Sequence, residues 1–272
     1  MEVNKTSLDS LCASLCKIMG ITAPKYAAEP NENLMQYAQS VFGANVAERI
    51  FMYNPDAIAQ WIYEKYPYLM QEVIGKTDIK IQFCTVMPSV TPVCFGTMYT
   101  GAQPSVHGIQ SYVKPVIKID TIFDAMIRAG KKCAIVSTSN DSMSMIYLER
   151  EMDYYIYDTV AEVNAKAMEL IVEDEYDFIA VYNPCYDAIM HKFGPESVEA
   201  LAELRSNAKE YAVFDKLIQK HWKKHNSLVG FAMDHGCHEI DGNCGSHGLD
   251  MPEDLNIVHF YKAYASHSNI AE

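Results

Sequence analysis

Residues 49–56 read Arg49-Ile50-Phe51-Met52-Tyr53-Asn54-Pro55-Asp56: a short apolar run that ends in Pro and a carboxylate. A run of this length bounded by a turn signal predicts a buried strand. A helical segment follows through Tyr66, and further apolar runs recur at 79–86, 132–137, 153–157, 178–182, 228–233 and 256–261. Between most of them lie helical stretches, including 121–129, 160–172 and the long 197–224. Strands that alternate with helices predict an α/β fold with a mostly parallel sheet and helices on both faces. Sheets of this kind place their chemistry where strand C-termini run into loops.

Upstream, Leu8, Leu11, Cys12, Leu15 and Ile18 fall at helical spacing over 7–19, with Gly20 where a C′ glycine belongs. A Pro-containing stretch and a helix near 31–42 complete a front section, residues 1–45, expected to pack on the core. No repeat, low-complexity tract or linker interrupts the rest, so residues 1–272 are expected to form one catalytic domain.

The chain has 35 acidic and 22 basic residues, a formal net charge of −13. Such a surface repels a phosphate backbone and argues against nucleic-acid polymers as partners. A small anionic substrate stays open, because a bound metal reverses the field locally. The eight cysteines form no Cys-x-x-Cys pair, and the first twenty residues make a poor signal peptide. No run reaches the length of a membrane span. A cytoplasmic protein with reduced thiols and no membrane partner is expected.

Four segments carry chemistry. Asp56 follows the first strand; it suits a metal, or a helix N-terminus whose dipole favours a carboxylate. The stretch 88–109 holds Thr91-Pro92 and ends in His107-Gly108-Ile109. Thr91 reads as an N-cap with Pro at the first helical position, a geometry that also sets a hydroxyl where an anion binds. Asp187 and His191, spaced i and i+4, share a helix face and can grip one ion, although helix surfaces carry such pairs by chance. Asp234-His235-Gly236 and Gly245-Ser246-His247-Gly248 set three potential ligands within fourteen residues, among glycines that let the backbone turn tightly. These donors suit Zn²⁺, with Mn²⁺ or another divalent ion as the alternative.

In this order, the segments resemble the alkaline phosphatase superfamily, and within it the type I phosphodiesterase/nucleotide pyrophosphatase group. The resemblance implies a three-layer α/β/α sandwich with a mostly parallel central sheet. The short spacers between motifs imply a small or absent cap. It also implies two zinc ions, one held by Asp187, His191 and His247, the other by Asp56, Asp234 and His235. Thr91 would be the nucleophile, passing through a phospho-threonine intermediate.

The resemblance departs at Cys94, where several members carry an asparagine that holds a phosphoryl oxygen. A thiol is a weak donor, so the Cys94 backbone N–H is the expected substitute, with packing in the first helical turn the alternative. Phe95 and His238 are further candidates for substrate contact, each with a structural alternative in the core or a loop; His107 matches a structural position. Residues 88–108 contain no Lys or Arg, which favours a phosphodiester or pyrophosphate over a monoester. The expected enzyme is a zinc-dependent hydrolase of a small phosphorylated substrate such as a nucleotide. Alternatives are a phosphomonoesterase, phosphonate hydrolase or phosphomutase on the same metals, or a non-catalytic metal- or ligand-binding relative.

Overall fold

The computed structural model describes residues 2–266. In chain order its strands are β1 (Arg49–Pro55), β2 (Ile79–Cys84), β3 (Cys133–Thr138), β4 (Asp153–Tyr157), β5 (Phe178–Asn183), β6 (Ser227–Phe231), β7 (His238–Ile240), β8 (Cys244–Ser246) and β9 (Asn256–Tyr264). Its helices are α1 (Ser10–Ile18), α2 (Glu32–Phe42), α3 (Gln60–Lys65), α4 (Gln71–Ile74), α5 (Thr91–Thr100), α6 (Pro104–His107), α7 (Ile122–Arg128), α8 (Ser142–Ile146), α9 (Val160–Glu173), α10 (Cys185–Phe193), α11 (Val198–His221) and α12 (Pro252–Leu255).

The sheet order is β2-β9-β6-β1-β5-β3-β4, and β7 and β8 form a separate hairpin. Strands β6, β1, β5, β3 and β4 run parallel, while β9 is antiparallel to both β6 and β2. The predicted α/β/α architecture is therefore the one observed. One helical layer contains α4, α9, α10 and α11, and the other α1, α5, α7 and α8. Strands β1, β5 and β6 are buried almost throughout, which explains their continuous apolar runs.

The front section covers the β2 side of the sheet. Leu8 N–H donates to the Cys84 carbonyl and Cys84 N–H to that of Thr6, so the N-terminal segment pairs with the edge strand. Helix α1 ends as its sequence predicts. Gly20 takes φ +69°, its N–H donates to Lys17 O, and Ile21 N–H reaches back to Cys16 O, a Schellman ending. Residues 57–59, expected to be helical, form a turn instead, with Ala57 at φ +60°.

A buried polar bridge fixes the central strand against the second helical layer. Asn54 donates through Nδ2 to the carbonyls of Met52 and Val181, and its Oδ1 accepts from the Tyr99 hydroxyl at 2.9 Å. Both side chains are fully buried. The bridge ties β1, which leads into Asp56, to α5, which carries Thr91. In Tyr99→Phe the Asn54 oxygen loses its donor, at an expected cost of about 1–3 kcal/mol. Chemical denaturation should show a lower urea midpoint; an unchanged midpoint would mean the bridge contributes nothing.

Candidate active site

The three central strands β6, β1 and β5 deliver one carboxylate each to the same end of the sheet. Asp56 follows β1 directly, Asp234 lies just beyond β6, and Asp187 stands in the first turn of α10 after β5. The helix-dipole alternative for Asp56 fails, because the next helix begins only at Gln60. The β7–β8 hairpin brings His247 back, and Asp187 and His191 share a face of α10 as their spacing requires.

Two ligand groups result: Asp187, His191 and His247, and Asp56, Asp234 and His235. In the first, His191 Nε2 lies 3.1 Å from His247 Nε2, and Asp187 Oδ1 lies 3.3 and 3.4 Å from those two atoms. In the second, His235 Nε2 lies 3.3 Å from Asp56 Oδ1 and 3.4 Å from Asp234 Oδ2. Tetrahedral ligands ~2.0–2.1 Å from a zinc ion stand ~3.3 Å apart, so both sets have the right spread.

The orientation of the side chains agrees. His191, His247 and His235 each set Nδ1 2.9 Å from a carbonyl, of Gly245, Ser89 and Gly236 respectively. A carbonyl only accepts, so each Nδ1 carries a proton and Nε2 is the nitrogen left to face an ion. Asp56 Oδ1, Asp187 Oδ1 and Asp234 Oδ2 are buried with no hydrogen-bond partner. Buried, unpaired acceptors facing one another fit divalent cations.

Titration in the metal-free site follows from this crowding. Burial first, and then the charge of Asp187, pushes Asp56 up to about 7. Burial and the neighbouring Asp56 push Asp234 well above the usual carboxylate range. Burial opposes ionisation of Asp187 too, but His191 and His247 beside it prevail and hold its carboxyl low. Burial, aided by the charge of His247, lowers His235 to about 3, so its ring is neutral.

Thr91 occupies the first turn of α5, but Val90 is the N-cap and the Thr91 hydroxyl makes no capping bond. The capping expectation is thereby corrected. The hydroxyl instead lies 3.2 Å from His235 Nε2 and 3.4 Å from Asp56 Oδ2. Proline at the second helical position has no N–H, and the Thr91 N–H has no intrahelical acceptor.

The remaining candidates divide. The Cys94 side chain is fully buried, and its N–H donates to Val90 O at 3.0 Å, so the expected backbone contact to substrate is already used in the helix. Phe95 is also fully buried, edge-on to Tyr182 with centroids 5.4 Å apart, which corrects it to a core residue. His238 Nδ1 pairs at 2.7 Å with Asp254, itself fully buried, and holds the hairpin base. His107 Nε2 contacts Thr97 Oγ1 at 3.0 Å, as a structural residue would.

Two features escaped the sequence. Tyr182, on β5, donates its hydroxyl to Asp56 Oδ2, a bond between distant positions that no local spacing signals. Gly236 is required by close approach, since a Cβ there would stand 2.1 Å from the Glu253 carbonyl oxygen.

The family model for type I phosphodiesterase/nucleotide pyrophosphatase matches residues 70–262. The chain belongs to this family. Asp56 lies outside the matched stretch, so its assignment rests on geometry alone. Comparison with curated proteins gives no match. Among solved structures, human ectonucleotide pyrophosphatase/phosphodiesterase 5 is similar at a TM-score of 0.55 and 17% identity, over 71% of this chain and 58% of that one. Phosphonoacetate hydrolase from Sinorhizobium meliloti, in complex with phosphonoformate, is similar at 0.55 and 17%, over 70% and 57%. The murine phosphodiesterase 5, solved as an inactive threonine-to-alanine variant in complex with AMP, gives 0.55 and 17%, over 72% and 59%. At this identity the likeness shows the fold. The chain spans under three-fifths of the length of these structures.

Two outcomes test the site. Tyr182→Phe should weaken metal binding at the Asp56 group about 10–100-fold and leave the Asp187 group unchanged, as read by calorimetric titration with Zn²⁺; equal weakening of both would place Tyr182 elsewhere in the account. The second concerns pH. Asp56, raised to about 7 in the metal-free fold, takes up a proton on folding. The stability this gives is complete below about pH 4 and is lost as pH rises through 7. Zinc displaces that proton, so the gain in Tm on adding Zn²⁺ should be larger at pH 8 than at pH 6. A gain that shrinks with rising pH would contradict the assignment.

Proposed function

We propose that the protein is a two-metal hydrolase that cleaves a phosphodiester or pyrophosphate bond of a small substrate, with Thr91 as nucleophile. The observation that carries this reading is the Thr91 hydroxyl beside His235 and Asp56, unused by its own helix. The family assignment and the two ligand groups support it. So does the murine relative, inactive with a threonine replaced and solved with AMP.

Asp187, His191 and His247 would hold one ion, and Asp56, Asp234 and His235 the other. Divalent cations there would supply the positive charge that favours the ionised threonine hydroxyl and offsets charge on the phosphoryl oxygens. Burial of Thr91, at 2% exposure, keeps bulk water from its hydroxyl. Attack of Thr91 Oγ on phosphorus forms the Oγ–P bond as the bond to the leaving oxygen breaks. Water then cleaves the phospho-threonine ester and restores the hydroxyl. Asp56 accepts from Tyr182 through Oδ2, which fixes the carboxylate beside the nucleophile.

A diester or pyrophosphate suits the site better than a monoester, whose extra negative charge needs an added cation. Lys114 directs its ammonium to the Asn140 carbonyl and Lys192 lies over the ring of Phe193. The phosphonoacetate hydrolase fold supports a second reading, a phosphonate hydrolase on the same metals. A panel of p-nitrophenyl diesters, p-nitrophenyl phosphate, dinucleotides and phosphonoacetate, assayed on the zinc-reconstituted protein, separates them.

The diester should be turned over with the highest kcat/KM; preference for p-nitrophenyl phosphate or phosphonoacetate would select the second reading. Thr91→Ala should lower kcat by about 10³-fold or more with both zinc ions retained by mass spectrometry. Residual turnover close to wild type would remove Thr91 from the chemistry. Activity should also fall toward acid pH as ligand histidines protonate; a profile flat down to pH 5 would argue against histidine ligation.

A further inference from the structure

The groove between α4 and α11 runs against the charge of this acidic chain. Lys209, Val213, Lys216, Leu217 and Lys220 fall on one face of α11 by their helical spacing. Facing them stand Glu72 of α4 and Lys76 just beyond it, and together they line a cavity of about 660 Å³. The floor is apolar: Val213 is 42% exposed and Leu217 only partly buried. The rim is basic. Lys76 reaches the buried Asp215 at 3.5 Å. Lys209, Lys216 and Lys220 are exposed, and among the described residues no carboxylate lies within 4.0 Å of their ammonium groups.

We propose that this groove docks an acidic amphipathic helix of a partner protein, whose apolar side chains fill the floor while its carboxylates pair with Lys209, Lys216 and Lys220. Charge complementarity selects this occupant. The chain has 35 acidic residues against 22 basic, yet these three lysines stay open around exposed apolar side chains. Lys209 and Lys220 stand eleven residues apart, about 16 Å along α11, which matches about three turns of a partner helix. A nucleic acid would leave the apolar floor in water, and the lining holds no arginine or aromatic ring for it. A flat bilayer surface would meet the rim and miss the floor between the two helices. Helix α11 follows α10, which carries Asp187 and His191, and runs back to the start of β6. Its second half, with the groove, therefore lies toward the end of the sheet away from the ligand groups, and a docked partner leaves Thr91 open.

A stapled, fluorescein-labelled helix with leucine along one face and glutamate along the other is the probe, titrated against the full chain by anisotropy. Saturable micromolar binding is expected, weakening as salt is raised. Lys216→Glu combined with Lys220→Glu should weaken it about tenfold or more, and Val213→Asp, which acts through the floor, as much. These variants change exposed side chains, so Tm and any hydrolytic activity should match wild type. A probe with lysine for glutamate, or with glutamine for leucine, should bind at least about tenfold more weakly.

No saturable binding of the probe by the wild-type chain would overturn the proposal. So would equal affinity in wild type and the double lysine variant. Undiminished binding of the glutamine probe would reduce the contact to charge and overturn it too. Phosphatidylserine vesicles or a single-stranded oligonucleotide bound more tightly than the probe, and released by the same variant, would assign the groove to a membrane or a nucleic acid instead. A dimer seen by analytical ultracentrifugation and dissolved by that variant would assign it to a second copy of this chain. Each outcome is independent of the hydrolase reading, which stands or falls on turnover by Thr91.

Discussion

Three carboxylates just beyond the ends of three adjacent strands, Asp56 and Asp234 fully buried and Asp187 half-buried, are the constraint around which this protein is arranged. Asp56 and Asp234 present ligand atoms within 4.8 Å of one another. Two like charges at that distance repel by on the order of 3–4 kcal/mol at an effective dielectric of 20. Hydrogen bonds to a charged group return about 1.5–3 kcal/mol each, so the Tyr182 and Ala57 donors offset much of that repulsion. Burial of both carboxylates adds a desolvation cost that those two bonds leave unmet. A proton or a divalent cation relieves it, and the Nε2 atoms of His191, His235 and His247 are placed to share a cation.

The rest of the fold serves to hold that arrangement. Parallel pairing of β6, β1 and β5 fixes the three carboxylates at one end of the sheet, and the Asn54–Tyr99 bridge sets α5, which carries Thr91, against the central strand. Backbone carbonyls of Ser89, Gly236 and Gly245 orient the histidines. One of them, Ser89, lies two residues before Thr91, so a single loop positions both His247 and Thr91. A formal net charge of −13 is compatible with a phosphate substrate once two divalent ions sit among these groups.

The architecture was legible because β1, β5 and β6 are buried on both faces and so write their strands as unbroken apolar runs. Most of the metal-ligating candidates were legible for a related reason: Asp56, Asp187, Asp234 and His235 stand shortly past such a strand and His191 at i+4 from Asp187, while His247 was marked by its flanking glycines. Capping logic misplaced Thr91 by one position, since Val90 is the N-cap. Phe95 looked available to a substrate because it lies four residues from Thr91; the helix turns its ring into the core instead. Tyr182 was invisible, as its partner Asp56 lies far along the chain and only the assembled sheet brings them together. Among the described residues no helix is long and apolar enough to cross a membrane.

Diffraction from crystals of the zinc-loaded protein, with anomalous data collected at the zinc edge, tests the central claim most directly. Two peaks are predicted, one within ~2.0–2.2 Å of ligand atoms of Asp187, His191 and His247 and the other equally close to Asp56, Asp234 and His235. A single peak, or a peak bound by residues outside these two groups, would contradict it.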